Sequence, residues 1–213
     1  MATFGGLQSS VADWLNRTDL TSQIKDFINI AIRDIERKPN CNFKYMRNVA
    51  SGTLTASDHT LALPTRYKKL QAFFVLMSTS EYKKMQKTSL NDALMRYPFL
   101  SQLKDFPEVI ATDDANSQFI LRATPDQAYS YVNYYYAYSA ELSADSDSNW
   151  LTANYWELVL YGALLQAAPF LGDDPRIATW LGLYENAYKN LKNSEIDEDW
   201  GGSTPQMQND IAV

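Results

Sequence analysis

The sequence predicts an α+β fold: a helix bundle of two N-terminal and two C-terminal helices, with an antiparallel β-sheet or sandwich module inserted between them. Three observations predict it. Apolar residues recur at helical spacing before Pro39 and again after Trp150. Between these regions they alternate, or run continuously over short stretches, with Gly, Pro and Asp at the breaks. A chain of 213 residues suits one domain carrying an inserted module. The expected segments are a helical hairpin over 1–44, a β module with one short helix over 45–140, a second helical hairpin over 149–197 that completes the bundle, and an extended tail over 198–213.

FGGLQSSVADWLN places Phe4, Leu7, Val11, Trp14 and Leu15 on one helical side. After a break at Arg17-Thr18, Asp19 is expected to cap a longer helix through its side-chain oxygen. That helix, LTSQIKDFINIAIRDIERK, gathers Leu20, Ile24, Phe27, Ile28, Ala31, Ile32 and Ile35 on one side, with Lys25, Asp26, Asn29, Arg33 and Glu36 covering much of the other. Pro39 ends it.

The period then shortens. NVASGTLT and HTLALP alternate, KLQAFFVLM reads as a central strand, and EYKKMQKTS as a strand with an exposed Lys face. SLNDALMRYPFL gives a short helix behind Ser89 that stops near Pro98. PEVIAT and SQFILRAT flank the turn Asp113-Asp114-Ala115-Asn116. The β-branched and aromatic run YSYVNYYYAYS is the last strand. Five to seven strands are expected in all.

After the polar linker ELSADSDSN, one helix is expected from Leu151 to Phe170, with Leu165 buried inside it. No charge lies between Leu158 and Leu171, so this helix needs cover on nearly every side. The N-terminal hairpin covers one face and the fourth helix another. The inserted sheet or a neighbouring subunit is expected to take what remains around Leu151, Tyr155 and Trp156. Gly172-Asp173-Asp174-Pro175 breaks the chain, and Ile177, Leu181, Tyr184, Tyr188 and Leu191 stripe a fourth helix running to about Ile196. The tail DEDWGGSTPQMQNDIAV has a flexible composition with Trp200 and the final Ile-Ala-Val as apolar exceptions.

Composition narrows the chemistry. One cysteine, Cys41, and one histidine, His59, leave no disulfide within the chain and too few ligands for a Cys/His zinc site in one subunit. His59 in ASDHTLAL reads as a turn entering a strand. The N-terminus lacks a basic region followed by an apolar one, and the apolar run 158–171 is too short to span a bilayer. A soluble protein made in the cytoplasm is expected, with no membrane partner. Residues 1–138 hold 16 Lys+Arg against 13 Asp+Glu, and residues 139–213 hold 3 against 12. No basic stripe suits tight binding of DNA phosphates.

Phosphate loops, HExxH, EF-hand and GxSxG patterns are all missing from the sequence. The carboxylate pairs Asp113-Asp114, Asp173-Asp174 and Glu195–Asp199 fall at turns or helix ends, where acidic residues are commonplace. Asn133, Tyr134, Tyr135 and Tyr136 suggest a sugar site, yet one strand sends them to opposite faces. No catalytic residue, metal ligand or cofactor site is assigned. The 14 tyrosines fit either large interfaces or a Tyr-rich sheet.

Two regions together carry a resemblance. LNRTDLTSQIKDFINIAIRDIER joins a short helix to an amphipathic one through LNR-x-DL. LSADSDSNWLTANYWELVLYGALLQAAPFLGDDPRIATWLGLYENAYKNL follows the sheet, with FILRATPDQAYSYVNYYYAYSAELS leading into it. The chain resembles the head-to-tail adaptor (connector) proteins of tailed bacteriophages, notably short-tailed phages and their relatives. The resemblance implies a structural virion protein at the head–tail junction that catalyses no reaction and needs no cofactor. Such adaptors form a ring, usually of twelve copies, below the portal protein. They extend the DNA channel and offer a platform to the tail or nozzle. Genomic DNA passes through the lumen without specific binding. Ring closure needs two different patches on each copy. Leu151, Tyr155, Trp156, Tyr134 and Tyr136 are the candidates for those patches. Trp200, Ile211 and Val213 are candidate anchors on the tail, unless that segment is simply disordered. The acidic C-terminal third fits either a DNA-repelling lumen or a solvated outer surface. A tail-associated carbohydrate- or protein-binding module is the alternative function.

Overall fold

The computed structural model describes residues 3–39, 42–78, 81–96, 103–172 and 174–200, with backbone alone at 96 and 196–200. Cys41, Asp173, Ile211, Val213 and the Trp200 side chain lie outside the described residues. The chain forms two compact units: a helical unit of Met1–Tyr45 with Ser139–Val213, and a β unit of Met46–Tyr138.

In the helical unit, α1 (Phe4–Leu15) is capped by Thr3, whose hydroxyl accepts from the Gly6 amide at 3.2 Å. It ends at Asn16 in the left-handed region (φ 53°), a conformation Asn tolerates. The second helix, α2 (Thr21–Arg37), buries Ile24, Phe27, Ile28, Ala31, Ile32 and Ile35, the stripe its spacing dictates. Asp19 does not cap it. The N-cap is Leu20, and the Asp19 carboxylate is taken by the Arg17 guanidinium through two bonds of 2.6 Å. A charge-assisted fork outcompetes a single backbone amide as partner.

The long helix expected over 151–170 is three pieces. α4 (Trp150–Asn154) opens on a reciprocal capping box between Asn149 and Thr152. The chain then bends at Tyr155 (φ −138°, ψ 46°) into α5 (Trp156–Gln166). A 3-10 turn over Ala168–Phe170 follows, where Pro169 has no amide to continue the α ladder. α5 packs against α1, α2 and α6 (Arg176–Trp200), which explains how an uncharged helix is accommodated. It buries Leu158, Val159, Leu160, Gly162, Ala163 and Leu164. Leu165 is half-buried and lines a cleft of about 390 Å³ with Ala31, Asp34, Arg37, Lys38 and Tyr184. The expectation of full burial belongs to Leu164, one helical step round. Lys38, just past α2, lies over the rings of Tyr184 and Tyr188 on α6, at 4.5 and 4.0 Å from their centroids.

The β unit begins with β1 (Arg47–Leu54), β2 (Thr60–Ala62), β3 (Tyr67–Ser78), β4 (Glu81–Lys84) and β5 (Gln86–Lys87). The short helix α3 (Leu90–Arg96) follows. Then come β6 (Lys104–Asp105), β7 (Val109–Asp113), β8 (Gln118–Arg122), β9 (Thr124–Pro125) and β10 (Tyr129–Ala137). Two four-stranded sheets form, in the orders β1-β10-β3-β4 and β2-β8-β7-β5. Their facing sides share one core: Leu54, Leu70, Phe73, Val75, Met85, Ile110, Phe119, Leu121 and Tyr129. The main pairings are antiparallel, but the two-residue ladders β5–β7 and β6–β9 are parallel, contrary to expectation. Both join segments separated by a connection long enough to reverse direction, which local sequence does not encode.

Candidate functional site

The residues considered for chemistry are engaged in local structure. Asp113 accepts from the Asn116 side chain (2.7 Å) and the Gln118 side chain (3.2 Å). These bonds hold its carboxyl below the usual range and close the β7–β8 turn. Asp174 is forked by Arg176 (2.7 Å to the nearer nitrogen) and accepts from the Arg176 amide at the start of α6. Arg176 thereby holds the Asp174 carboxyl low. Glu195 accepts from the Lys44 amide at 2.7 Å. His59 precedes β2, and its carbonyl accepts from the Leu121 amide. Among the described residues, no three His, Cys, Asp or Glu gather where a metal ion would sit, and no helix is long and apolar enough to cross a membrane.

Among the described residues, Arg122, Asn133 and Asn149 carry buried side-chain atoms without a hydrogen-bond partner, and only Arg122 is a charged group. The guanidinium nitrogens of Arg122 make no hydrogen bond, although the residue is 1% exposed. Burial lowers its pKa. Arg122 ends β8 with Phe119 and Leu121 pointing to the sandwich core, so alternation places it on the other face of that sheet.

The surfaces are more informative. In the helical unit, Phe43, Tyr45, Trp150 and Tyr155 form an aromatic ladder with centroids 5.6, 4.5 and 5.4 Å apart. The Tyr155 hydroxyl meets the Ser194 hydroxyl at 2.6 Å. Tyr155 is therefore half-buried in its own subunit, and Leu151 beside it is fully buried. Trp156 remains 44% exposed, and Trp14, Ile30, Phe170 and Leu181 are exposed elsewhere on this unit.

In the β unit, register assigns the faces. Val49 lies opposite Tyr134, which lies opposite Ala72; Val132 lies opposite Phe74, and Phe74 opposite Lys84. Leu76 lies opposite Tyr82. These residues share the face of sheet β1-β10-β3-β4 turned away from the core. Tyr134 is 41% exposed there and meets Phe74 edge-on at 5.9 Å. Tyr136 shares the face but is buried. Of the five described candidates, Trp156 and Tyr134 thus present broad surface, Tyr155 presents part of its ring, and Leu151 and Tyr136 are covered by this chain. Sequence reasoning missed the ladder partners Tyr45 and Trp150, because ring stacking joins residues that are distant in the chain.

The helical unit and the β sandwich each carry exposed aromatic side chains. The chain belongs to the SU10 adaptor protein family, whose model matches residues 2–207. It is thus a phage head-to-tail adaptor, a structural protein of the virion. No curated protein matches the chain.

Proposed function

We propose that the protein assembles as a ring, of twelve copies, directly below the portal protein. In this reading it lengthens the channel through which the genome passes and presents a platform to the tail or nozzle protein, without catalysing a reaction. The observation that carries the proposal is membership of the adaptor family over nearly the whole chain. The apolar face that Val49, Tyr134 and Tyr82 expose on sheet β1-β10-β3-β4 supports it, since contiguous apolar patches mark surfaces that become covered. Trp156 and Tyr134 supply contacts between copies or to the portal, and Tyr155 lends its half-buried ring. Leu151 and Tyr136 support those contacts from beneath. Trp200, Ile211 and Val213 anchor the C-terminal segment to the portal or to the next copy.

Residues 139–213 hold 3 basic against 12 acidic residues, which favours a lumen that repels DNA rather than retaining it. Electron microscopy of the purified protein mixed with the portal of the same phage tests the proposal. A stacked ring is expected. A monomer that fails to engage the portal at any salt concentration would overturn it.

A further inference from the structure

Sheet β1-β10-β3-β4 ends on β1 and β4. Among the described residues β1 pairs with β10 alone and β4 with β3 alone; β4 is a four-residue strand that carries Glu81, Lys83 and Lys84. Exposed edges are normally blunted by proline, charge, a bulge or short length. β1 has none of these beyond its first residue. It is eight residues long, uncharged from Asn48 to Leu54, free of proline, and paired to β10 without a register shift. Such a strand is a template for another strand.

Strand direction decides which strand fits. Each neighbour in the order β1-β10-β3-β4 is antiparallel, so β1 and β4 run opposite ways. A second copy placed beside the first with the same orientation brings its β4 against β1 antiparallel, and the alternation continues across the seam. The side chains match too. Val49 on one edge is 61% exposed and Tyr82 on the other is 51% exposed, and register places both on the same face. Across a seam they form a β-branched–aromatic pair, the kind that stabilises neighbouring strands. Between them the face is already apolar, with Tyr134, Phe74, Val132 and Leu76. The lysines of β4 meet no cation on residues 48–54 of β1.

We infer that β4 of one copy adds to β1 of the next, joining the β sandwiches of neighbouring subunits into a continuous band. The inference rests on the ring reading, because a β1-to-β1 contact is isologous and stops at two copies, whereas β1-to-β4 is head-to-tail and can close a ring.

Cysteine cross-linking tests it. In a Cys41→Ser background, Tyr82→Cys is combined in turn with Val49→Cys, Ser51→Cys and Thr53→Cys, which scan register on one face. Within a chain β1 and β4 are three strand spacings apart, about 14 Å. A disulfide needs Cα atoms within roughly 4.4–6.8 Å, so any bridge must join two copies. Mild oxidation of rings assembled on the portal is expected to give a ladder of covalent multimers from at least one combination. Amides of residues 48–54 are expected to exchange at least about tenfold more slowly in the ring than in the free protein. Intact rings with no ladder from any combination and no protection of β1 would overturn the inference and leave the ring standing. Covalent dimers from Val49→Cys alone would replace it with the β1-to-β1 contact. Absence of rings altogether would remove the ring reading, and this inference with it.

Discussion

Gly162 on α5 faces Ala31 on α2 so closely that a Cβ added to the glycine would lie 2.9 Å from the Ala31 Cβ. The backbone of α5 lies against the Ala31 methyl there, and a glycine, costly in a helix interior, is what permits it. Gly162→Ala gains about 1 kcal/mol of helix propensity but meets an overpacking cost of about 1–3 kcal/mol. A net loss of roughly 1 kcal/mol in urea unfolding is expected. Gly162→Leu should lose clearly more. Unchanged stability of the leucine variant would show that the helices are not in contact at this point.

Leu164 and Leu165 are neighbours with different surroundings: Leu164 is fully buried and Leu165 lines an open cleft. Leu164→Ala is expected to cost about 2–5 kcal/mol, with Leu165→Ala well below that. Leu164→Asp should prevent folding, because its charge would have no partner, whereas Leu165→Asp should remain folded. Circular dichroism of the two aspartate variants separates the cases.

Glu36 is fully buried in the helical unit, where its carboxylate accepts from the Ser139 amide (3.2 and 3.1 Å), the Ser139 hydroxyl and the Tyr45 hydroxyl (3.4 Å). It fixes the point at which the chain re-enters this unit. Hydrogen bonds to a charged group contribute about 1.5–3 kcal/mol. Glu36→Ala should therefore destabilise by at least that range, with Glu36→Gln retaining part of the loss, measured as shifts of the unfolding midpoint.

The unpartnered Arg122 leads to the opposite sign. A buried guanidinium without a hydrogen-bond partner opposes folding, and an apolar side chain of similar length does not. Arg122→Met is expected to leave the melting temperature unchanged or raise it. A marked fall would mean that the guanidinium is satisfied beyond the described residues.

The Arg17–Asp19 fork sets a pH dependence. Its hydrogen bonds pull the Asp19 pKa down to about 2. A lowered carboxylate pKa contributes stability that is complete above the unfolded value near 3.9 and is lost as pH falls through the folded value. The carboxyl carbon of Asp19 should titrate near 2 by NMR. In Arg17→Met it should return towards about 3.9.

Much of the architecture was legible in the sequence because it follows from period. The stripe from Ile24 to Ile35, the run KLQAFFVLM and the turn Asp113–Asn116 each appear where their spacing or turn residues place them. The surfaces were partly legible. Trp156 and Tyr134 are exposed, while Leu151 and Tyr136 are buried, and spacing does not distinguish them. A residue's exposure depends on what other segments lie across it.

The sequence by itself determined the helical and β regions and the apolar faces they present, because propensity and periodicity are local properties of the chain, while the family showed in the likeness of whole segments. Only the tertiary structure decided that α5 is covered by three helices, that Asp19 serves Arg17 rather than α2, and that Arg122 is buried without a hydrogen-bond partner among the described residues. It also decided that β1 and β4 are the two opposed edges of one sheet. Each of these depends on which distant residues meet, and contacts across the chain are selected by the packing of the whole unit rather than by any short stretch.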